Sequence, residues 1–519
     1  MIFPKLIDSV ENIETETHRQ KHSTKDFLKW DAKKRKQLVI DDIIAKENYY
    51  TQGEFSSALK KANILDNKAV NLPGNLVLLP YGVKLIKLFS KYIEAAFEKY
   101  NMQEYSYPVT APLDIFEAEK NFFSLQNKLL YIASDSELEQ STPRGVLCPT
   151  GEATIYTHWS KEVKNISDLP IKMYRRTSYF RPFSSGKHAG RGVFRSLEAG
   201  DVFEFHSCFS EKSQALLTIE EYFKMLREIS NQLYVPTLWT IRPPWTNNES
   251  LFEWSIGGDV PLPTGNTVQT TTLYNQGEVF SRAYNITFKN ANKQYYTQQV
   301  TGCVTRRLIL AHLMLGIDVE GNLFIHPDLS PTQISIIFKK YNVVNDHPIY
   351  KFKDIVSAKY RVESVFTDDK KTILKNRKKN KIQGVPLEIF IQDKRHSTDK
   401  YKIILTRSDT LEEAILYVDC MEDVLNSISP VIKQIGTTFE QKMDKFYKNQ
   451  LLELNNIEQI NSEKNKVKIF PLLFNKECCL KVESLFKGEI LGFTEMDSEE
   501  NCILTGEKTS YKAIFSRRI

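Results

Sequence analysis

Between residues 72 and 108 the spacing of apolar positions changes twice. Leu76, Val77, Leu78 and Leu79 run together behind the Pro73-Gly74 turn pair and predict a short strand over 76–79. Tyr81-Gly82 then opens a stretch in which Leu85, Ile86, Leu88, Phe89, Tyr92, Ile93 and Phe97 recur every three or four residues. That period lays one apolar stripe along an α-helix. A second strand is expected at Glu104–Pro108, and residues 120–145 read as loop-rich. Alternation near 236–242 and 279–288 predicts further strands in a mixed region that continues to about residue 325. Beyond it, "YRVESVFTDD" and "VPLEIFIQ" suit strands of a βα-alternating segment, and an amphipathic helix is expected near 411–450. A Lys/Asn-rich joint at 461–467 precedes a small tail. Residues 1–50 are polar throughout, so a partly helical extension is expected there, its "KKRKQ" run (33–37) a solvated face. No internal repeat or low-complexity tract interrupts the chain.

Length and composition narrow the class. The chain has 519 residues, enough for two to four domains. It is 41% hydrophobic and 26% charged, with a mean hydropathy of -0.37, as in globular proteins. No apolar run reaches the roughly 18–20 residues of a membrane helix. The first residues, "MIFPKLIDSVENIETETHRQ", carry acids where an export signal would be apolar. Seven cysteines, scattered apart from Cys478-Cys479, suit reduced thiols and a cytoplasmic location. A net charge of +6 permits a polyanionic partner without requiring one.

The stretch "MYRRTSYFRPFSSGKHAGRGVFRSLEAGDVFEF" (173–205) changes the picture. Two strand-like ends flank a basic, glycine-rich turn, and arginines stand at either end of it. Arginine meets phosphate oxygens with a planar fork, and glycines let a loop fold over a ligand, so the pattern suits a triphosphate. Taken alone it also suits a plain basic surface hairpin. Neither GxxxxGK[ST] nor GxGxxG occurs, so a nucleotide site here is of another kind.

Three segments occur in order: "LPYGVKLIKLFSKYIEAAFEKYNMQEYSYPVTAP", the hairpin, and "TGCVTRRLILAHLMLGIDVEGNLFIHPDLSPTQISII". With them the sequence resembles the class II aminoacyl-tRNA synthetases, and within them the prolyl-tRNA synthetases of archaeal and eukaryotic type, over roughly residues 70–519. The first segment resembles motif 1, ending at Pro108. The hairpin resembles motif 2, which places its arginine at Arg181. "GCVTRRLILAHL" resembles motif 3, with its arginine at Arg306. "CPTGEATIYTHW" is similar to the prolyl family's Thr-x-Glu element, giving Thr150 and Glu152, and "PTGNTVQTTTLYNQGEVFSRAYNITF" is similar to its Gln/Thr segment, giving Gln269 and Thr272.

The resemblance implies an α+β fold: a class II antiparallel sheet flanked by helices over 51–325, an α/β anticodon-binding-like domain over 326–430, and a small α+β domain over 431–519. It implies attack of an amino-acid carboxylate on the α-phosphate of ATP, helped by Mg²⁺, with transfer of the amino acid to tRNA. Arg181 would hold the α-phosphate and Arg306 the γ-phosphate, with Phe183, Arg195, Gln269 and Thr272 completing the ATP site. Thr150, Glu152, Tyr274 and Thr301 would line the amino-acid pocket, and motif 1 implies a homodimer. The alternative reading of Arg306 is a helix-start arginine paired with a nearby acid.

Departures from the family pattern are as informative. Phe183 replaces the motif 2 glutamate that contacts adenine, Tyr274 stands at a histidine position, and Gln299–Thr301 replaces a Ser-Ser-Trp run. These leave room for a paralogue that activates another amino acid or related carboxylate for a specialised pathway, or for a non-catalytic tRNA-binding regulator. Seven cations, Lys370, Lys371, Lys375, Arg377, Lys378, Lys379 and Lys381, are candidates for tRNA-backbone contact, or else a solvated face. Around Cys478, Cys479 and Cys502 the tail follows the family's zinc module, but Thr505 stands where a cysteine would complete a C-x-x-C pair. Structural zinc takes four Cys or His ligands, so no metal is expected there.

Overall fold

The computed structural model describes residues 52–67, 74–119, 129–136, 143–181, 193–194, 196–246, 251–318, 320–339, 347–393, 401–461, 463 and 465–518. The expected extension over 1–50, with its basic run, lies outside them.

The main sheet begins with β1 (Gln103–Glu104), β2 (Ile171–Phe180), β3 (Glu198–Phe209), β4 (Leu238–Arg242), β5 (Trp254–Pro261), β6 (Asn266–Gly277) and β7 (Gln298–Val304). A separate five-stranded sheet follows, made of β8 (Ile334–Lys339), β9 (Val362–Thr367), β10 (Leu387–Asp393), β11 (Tyr401–Arg407) and β12 (Glu413–Val418). The chain then returns to the main sheet with β13 (Leu451–Glu453), β14 (Val467–Pro471), β15 (Glu489–Asn501) and β16 (Lys508–Arg518). The main sheet thus has eleven strands, in the order β13-β14-β16-β15-β4-β5-β6-β7-β3-β2-β1. From β14 to β2 neighbouring strands are antiparallel, while β1 and β13 pair in parallel at the two edges.

Helices cover both faces. The labelled helices are α1 (Gln52–Lys61), α2 (Pro80–Lys99), α3 (Glu152–Glu162), α4 (Lys212–Gln232), α5 (Val279–Ala283), α6 (Arg306–Gly316), α7 (Pro348–Lys359), α8 (Lys370–Gln383), α9 (Glu422–Gln450) and α10 (Lys476–Leu485). Pro80 starts α2, where its missing N–H costs nothing, and Asn101, at φ 60°, turns the chain after it. Its stripe of Leu85, Phe89, Ile93 and Phe97 packs with Phe205, Tyr222 and Leu308 into the largest core cluster. Each such side chain contributes about 1.5–3 kcal/mol of burial. On the opposite face Tyr156 and Trp159 of α3 cover Met173, Tyr179 and Cys208. Among the described residues no helix is long and apolar enough to cross a membrane.

Several expected elements shift. The strand at 76–79 forms as Val77–Leu78, but the one at Glu104–Pro108 shrinks to Gln103–Glu104, because Tyr105 adds a single bond to Tyr174 O before the chain leaves the sheet. Residues 279–288 are not a strand: α5 occupies their start, and a strand begins only at Thr287, after Asn285 at φ 54°. The apolar alternation misled here because Phe280 is buried by a helical turn instead. The 120–145 region holds a strand at Leu130–Ile132 among its described residues. The helix expected over 411–450 begins at Glu422, since Leu411 at φ 57° turns the chain back into β12.

Candidate active site

The motif 2 hairpin is an antiparallel pair, β2 with β3, and its neighbours β7 and β6 continue the same face. Cross-strand pairing puts Tyr274, Thr301, His206 and Met173 in one row, and Thr272, Cys303, Glu204 and Arg175 in the next. Side chains paired across strands point to the same side. Three residues singled out from the sequence, Thr272, Tyr274 and Thr301, therefore share the sheet face covered by α3.

The polar centre of that face is buried. Arg175, at 2% exposure, donates Nε–H to Glu204 at 3.0 Å, and the Tyr179 hydroxyl also donates to Glu204. His206 Nε2 lies 3.3 Å from the second Glu204 oxygen, and the Tyr156 hydroxyl bridges His206 Nδ1 at 3.0 Å and Gln276. Burial alone would raise the Glu204 carboxyl, but His206, Arg175 and Tyr179 outweigh it and hold it down at about 2. Burial pushes the Tyr274 hydroxyl up and lifts the Cys303 thiol to about 11.

Thr150 and Glu152 are delivered to this centre by the start of α3. A side-chain carbon on Gly151 would stand 2.3 Å from Glu204 Oε2 and 2.4 Å from the Tyr179 hydroxyl, so only glycine allows the helix start so close. The Thr150 hydroxyl is buried with no hydrogen-bond partner among the described residues, and so is the whole Gln299 amide, two positions along β7 from Thr301. Buried polar groups are ordinarily paired, so unpaired ones along one stripe mark where a polar ligand would sit.

Arg181 closes one end of β2, donating Nε–H to Pro149 O at 3.1 Å. Arg306 is the first residue of α6, and its Nε–H donates to Asp201 at 2.7 Å. The helix-start ion pair named as the alternative for Arg306 is therefore present. Asp201 also accepts from Arg176, which lies 3.9 Å from Glu94 as well, so the two guanidiniums share one carboxylate directly. Gly200 makes the fit possible: a side-chain carbon there would lie 2.1 Å from an Arg306 terminal nitrogen. Arg307, not foreseen, ties the main-chain oxygens of Phe194 and Gln269 together, which places Gln269 beside the hairpin's return strand. Phe183 and Arg195 lie outside the described residues.

The seven cations of 370–381 make up half of α8. Arg377 is committed to Glu388 and Glu413, Lys379 to Glu363, and Lys381 to Glu320. Those three are tied into the domain, whereas Lys370, Lys371, Lys375 and Lys378 are exposed and have no ion-pair partner among the described residues. Cys478, Cys479 and Cys502 sit in one apolar cluster, and among the described residues no group of three or more His, Cys, Asp or Glu side chains could hold a metal.

Residues 137–314 match the family model of the tRNA synthetase class II core domain (G, H, P, S and T). The proline–tRNA ligase of Thermococcus kodakarensis is 24% identical over 477 residues, covering 89% of this chain and 96% of the relative. That of Methanocaldococcus jannaschii is 29% identical over 449 residues, covering 84% and 95%. Among solved structures, Giardia lamblia prolyl-tRNA synthetase in complex with prolyl-adenylate superposes with a TM-score of 0.78 at 19% identity, over 93% of this chain and 99% of that one. Cryptosporidium parvum prolyl-tRNA synthetase with halofuginone and AMPPNP gives 0.78 at 16% identity, over 90% and 97%. The chain is thus similar to the class II tRNA synthetase core over residues 137–314 and, over most of its length, to the proline–tRNA ligases.

Proposed function

We propose that this protein activates an amino acid with ATP and transfers it to tRNA. The observation that carries the reading is the buried polar stripe of an antiparallel sheet, with Arg181 at the end of β2 beside it and Arg306 held at the start of α6 by Asp201. In this reading the amino-acid carboxylate attacks the α-phosphorus of ATP, an acyl–phosphate bond forms, and the bond to pyrophosphate breaks. Arg181 stabilises charge on the α-phosphate. Arg306 turns its terminal nitrogens, unpaired among the described residues, to the γ-phosphate while Asp201 fixes its Nε. Such preorganised donors lower the barrier because they need no rearrangement when charge develops. Gln269 and Thr272 border the nucleotide, with Phe183 and Arg195 assigned to it by resemblance. Mg²⁺ would arrive with the triphosphate; the described residues offer no carboxylate cluster of their own for it.

Thr150, Glu152, Tyr274 and Thr301 line the amino-acid side, with Glu204 and His206 as its buried floor. Proline is the first amino acid to test. A second reading, a different amino acid or carboxylate, is favoured by the buried, unpaired Gln299 amide, which a ligand with a polar group would satisfy better than a pyrrolidine ring. A homodimer is part of the proposal. The groove between α2 and α4 exposes Leu88, Tyr92 and Ala95 between Lys91 and Lys99, a surface for sedimentation analysis to test.

The deciding experiment is ATP–pyrophosphate exchange across the common amino acids, with and without tRNA. Exchange dependent on one amino acid, followed by tRNA charging, supports the proposal. Efficient prolylation of a proline tRNA ends the second reading, and absence of exchange with every amino acid ends the first.

A further inference from the structure

Where the turn between β5 and β6 meets β14 and β16, a small cleft of about 30 Å³ collects Lys466, Lys468, Lys487, Ser516 and Arg517. Gly265, at φ +77°, presses the turn against the neighbouring segment: a side-chain carbon on it would lie 2.3 Å from Asn465 Cα. Lys468 is 4% exposed, and its Nζ donates to the main-chain oxygens of Glu463 and Lys466, both at 2.6 Å. Burial, and the nearby Arg517 and Lys466, bring its ammonium down to about 8 against the opposing pull of Glu463. Lys466 pairs with Glu463 at 2.8 Å, the one carboxylate ion-paired to these cations among the described residues. Arg517 donates Nε–H to Lys487 O at 2.7 Å and leaves its terminal nitrogens without an ion pair among the described residues.

The second observation is independent of charge. Ser516 is 3% exposed, lines the cleft, and its hydroxyl has no hydrogen-bond partner among the described residues. A buried hydroxyl without a partner, beside four cations and one acid, is half of a binding site.

We propose that this cleft binds a phosphate-sized oxyanion, with the Ser516 hydroxyl and the Lys468 ammonium at its floor and Arg517, Lys466 and Lys487 closing over it. The arginine fork and the ammonium groups supply charge-assisted donors, the hydroxyl gains its missing acceptor, and the anion offsets the mutual repulsion of the cations. The cleft is built by residues other than those at Arg181 and Arg306. A phosphate group could come from a free phosphate-bearing small molecule or from the RNA backbone.

The test uses the full chain with inorganic phosphate as the probe, at constant ionic strength set by potassium chloride. Thermal midpoints are followed for wild type, for Arg306→Ala, and for the double variant Lys466→Gln/Arg517→Gln, with Lys487→Gln as a milder second variant. Phosphate is expected to raise the midpoint of wild type and of Arg306→Ala alike, with the apparent affinity falling about tenfold or more in the double variant. Crystals soaked in selenate should show an anomalous peak within hydrogen-bond distance of Ser516 Oγ. Affinity for tRNA, measured on the same proteins, separates the sources. A phosphate response with unchanged tRNA affinity assigns a free anion, and reduced tRNA affinity in the double variant with no phosphate response assigns an RNA phosphate. Equal phosphate responses in all variants, no selenate peak and unchanged tRNA affinity together overturn the proposal.

Discussion

In the proposed activation step, the Arg306–Asp201 pair links structure to chemistry. The carboxylate fixes Nε and leaves the outer edge of the guanidinium for a ligand. Arg306→Ala and Arg181→Ala should each lower exchange about 10²–10³-fold, as loss of one preorganised donor does, while the thermal midpoint changes little. Unaltered exchange in either variant would remove that arginine from the site. Gly200→Ala tests position without removing charge. Its methyl group would collide with the Arg306 guanidinium, and a displacement near 1 Å should cost about 10²-fold in exchange. Glu204 makes a stability prediction. Its carboxyl lies at about 2 in the folded protein, below its usual range, so its contribution is present above that range and is lost as pH falls from about 5 to 2. Acid titration in mild denaturant should show wild type losing stability in this window more steeply than Glu204→Gln. Coincident slopes would mean that the carboxyl is not depressed.

At the scale of elements, α8 separates two kinds of cation that composition treats alike. Lys371, Lys375 and Lys378 fall at four- and three-residue intervals and so share one helix face, with Lys370 beside them. Replacing these four by Gln should weaken tRNA binding and flatten its log–log salt dependence, each lost phosphate contact removing somewhat under one unit of slope. Amino-acid activation should be unaffected, and an unchanged salt slope would identify the run as a solvated face. What could be read beforehand follows the same division. The α2 stripe was legible because seven apolar residues recur at helical spacing within one 20-residue helix. Arg181 and Arg306 were nominated by motif order alone, and the exchange assay on their variants is what tests them. Glu204 and His206 were not singled out, although the signal was present: two ionisable residues at alternate positions of the apolar strand "VFEFH" must share a buried face. The hydrogen-bond partners of Glu204, Arg175 and Tyr179, come from a strand about 25–30 residues away, and register across strands is not written in local spacing. The ion pairs that tie down Arg377, Lys379 and Lys381 were illegible for the same reason.

Across the whole molecule, the main sheet is assembled from two distant parts of the chain. β15 and β16 insert between β14 and β4, and β16 also touches β6, where Arg518 reaches the buried Arg242–Asp259 pair. Deleting residues 508–519 should therefore collapse the catalytic sheet, abolishing exchange and the cooperative thermal transition together. Retained exchange would show that the β1–β7 half stands alone. The same connectivity sets a schedule for biosynthesis. Ile241 must wait for Phe493, roughly 250 residues later, which at 5–20 residues per second is on the order of 10–50 s of translation. Throughout that interval the outer edge of β4 has no neighbour, an open invitation to other nascent strands. Closing so long a loop is also intrinsically slow. Chaperone capture of stalled nascent chains ending near residue 440, lost once residues 489–518 have emerged, is the expected trace of that wait.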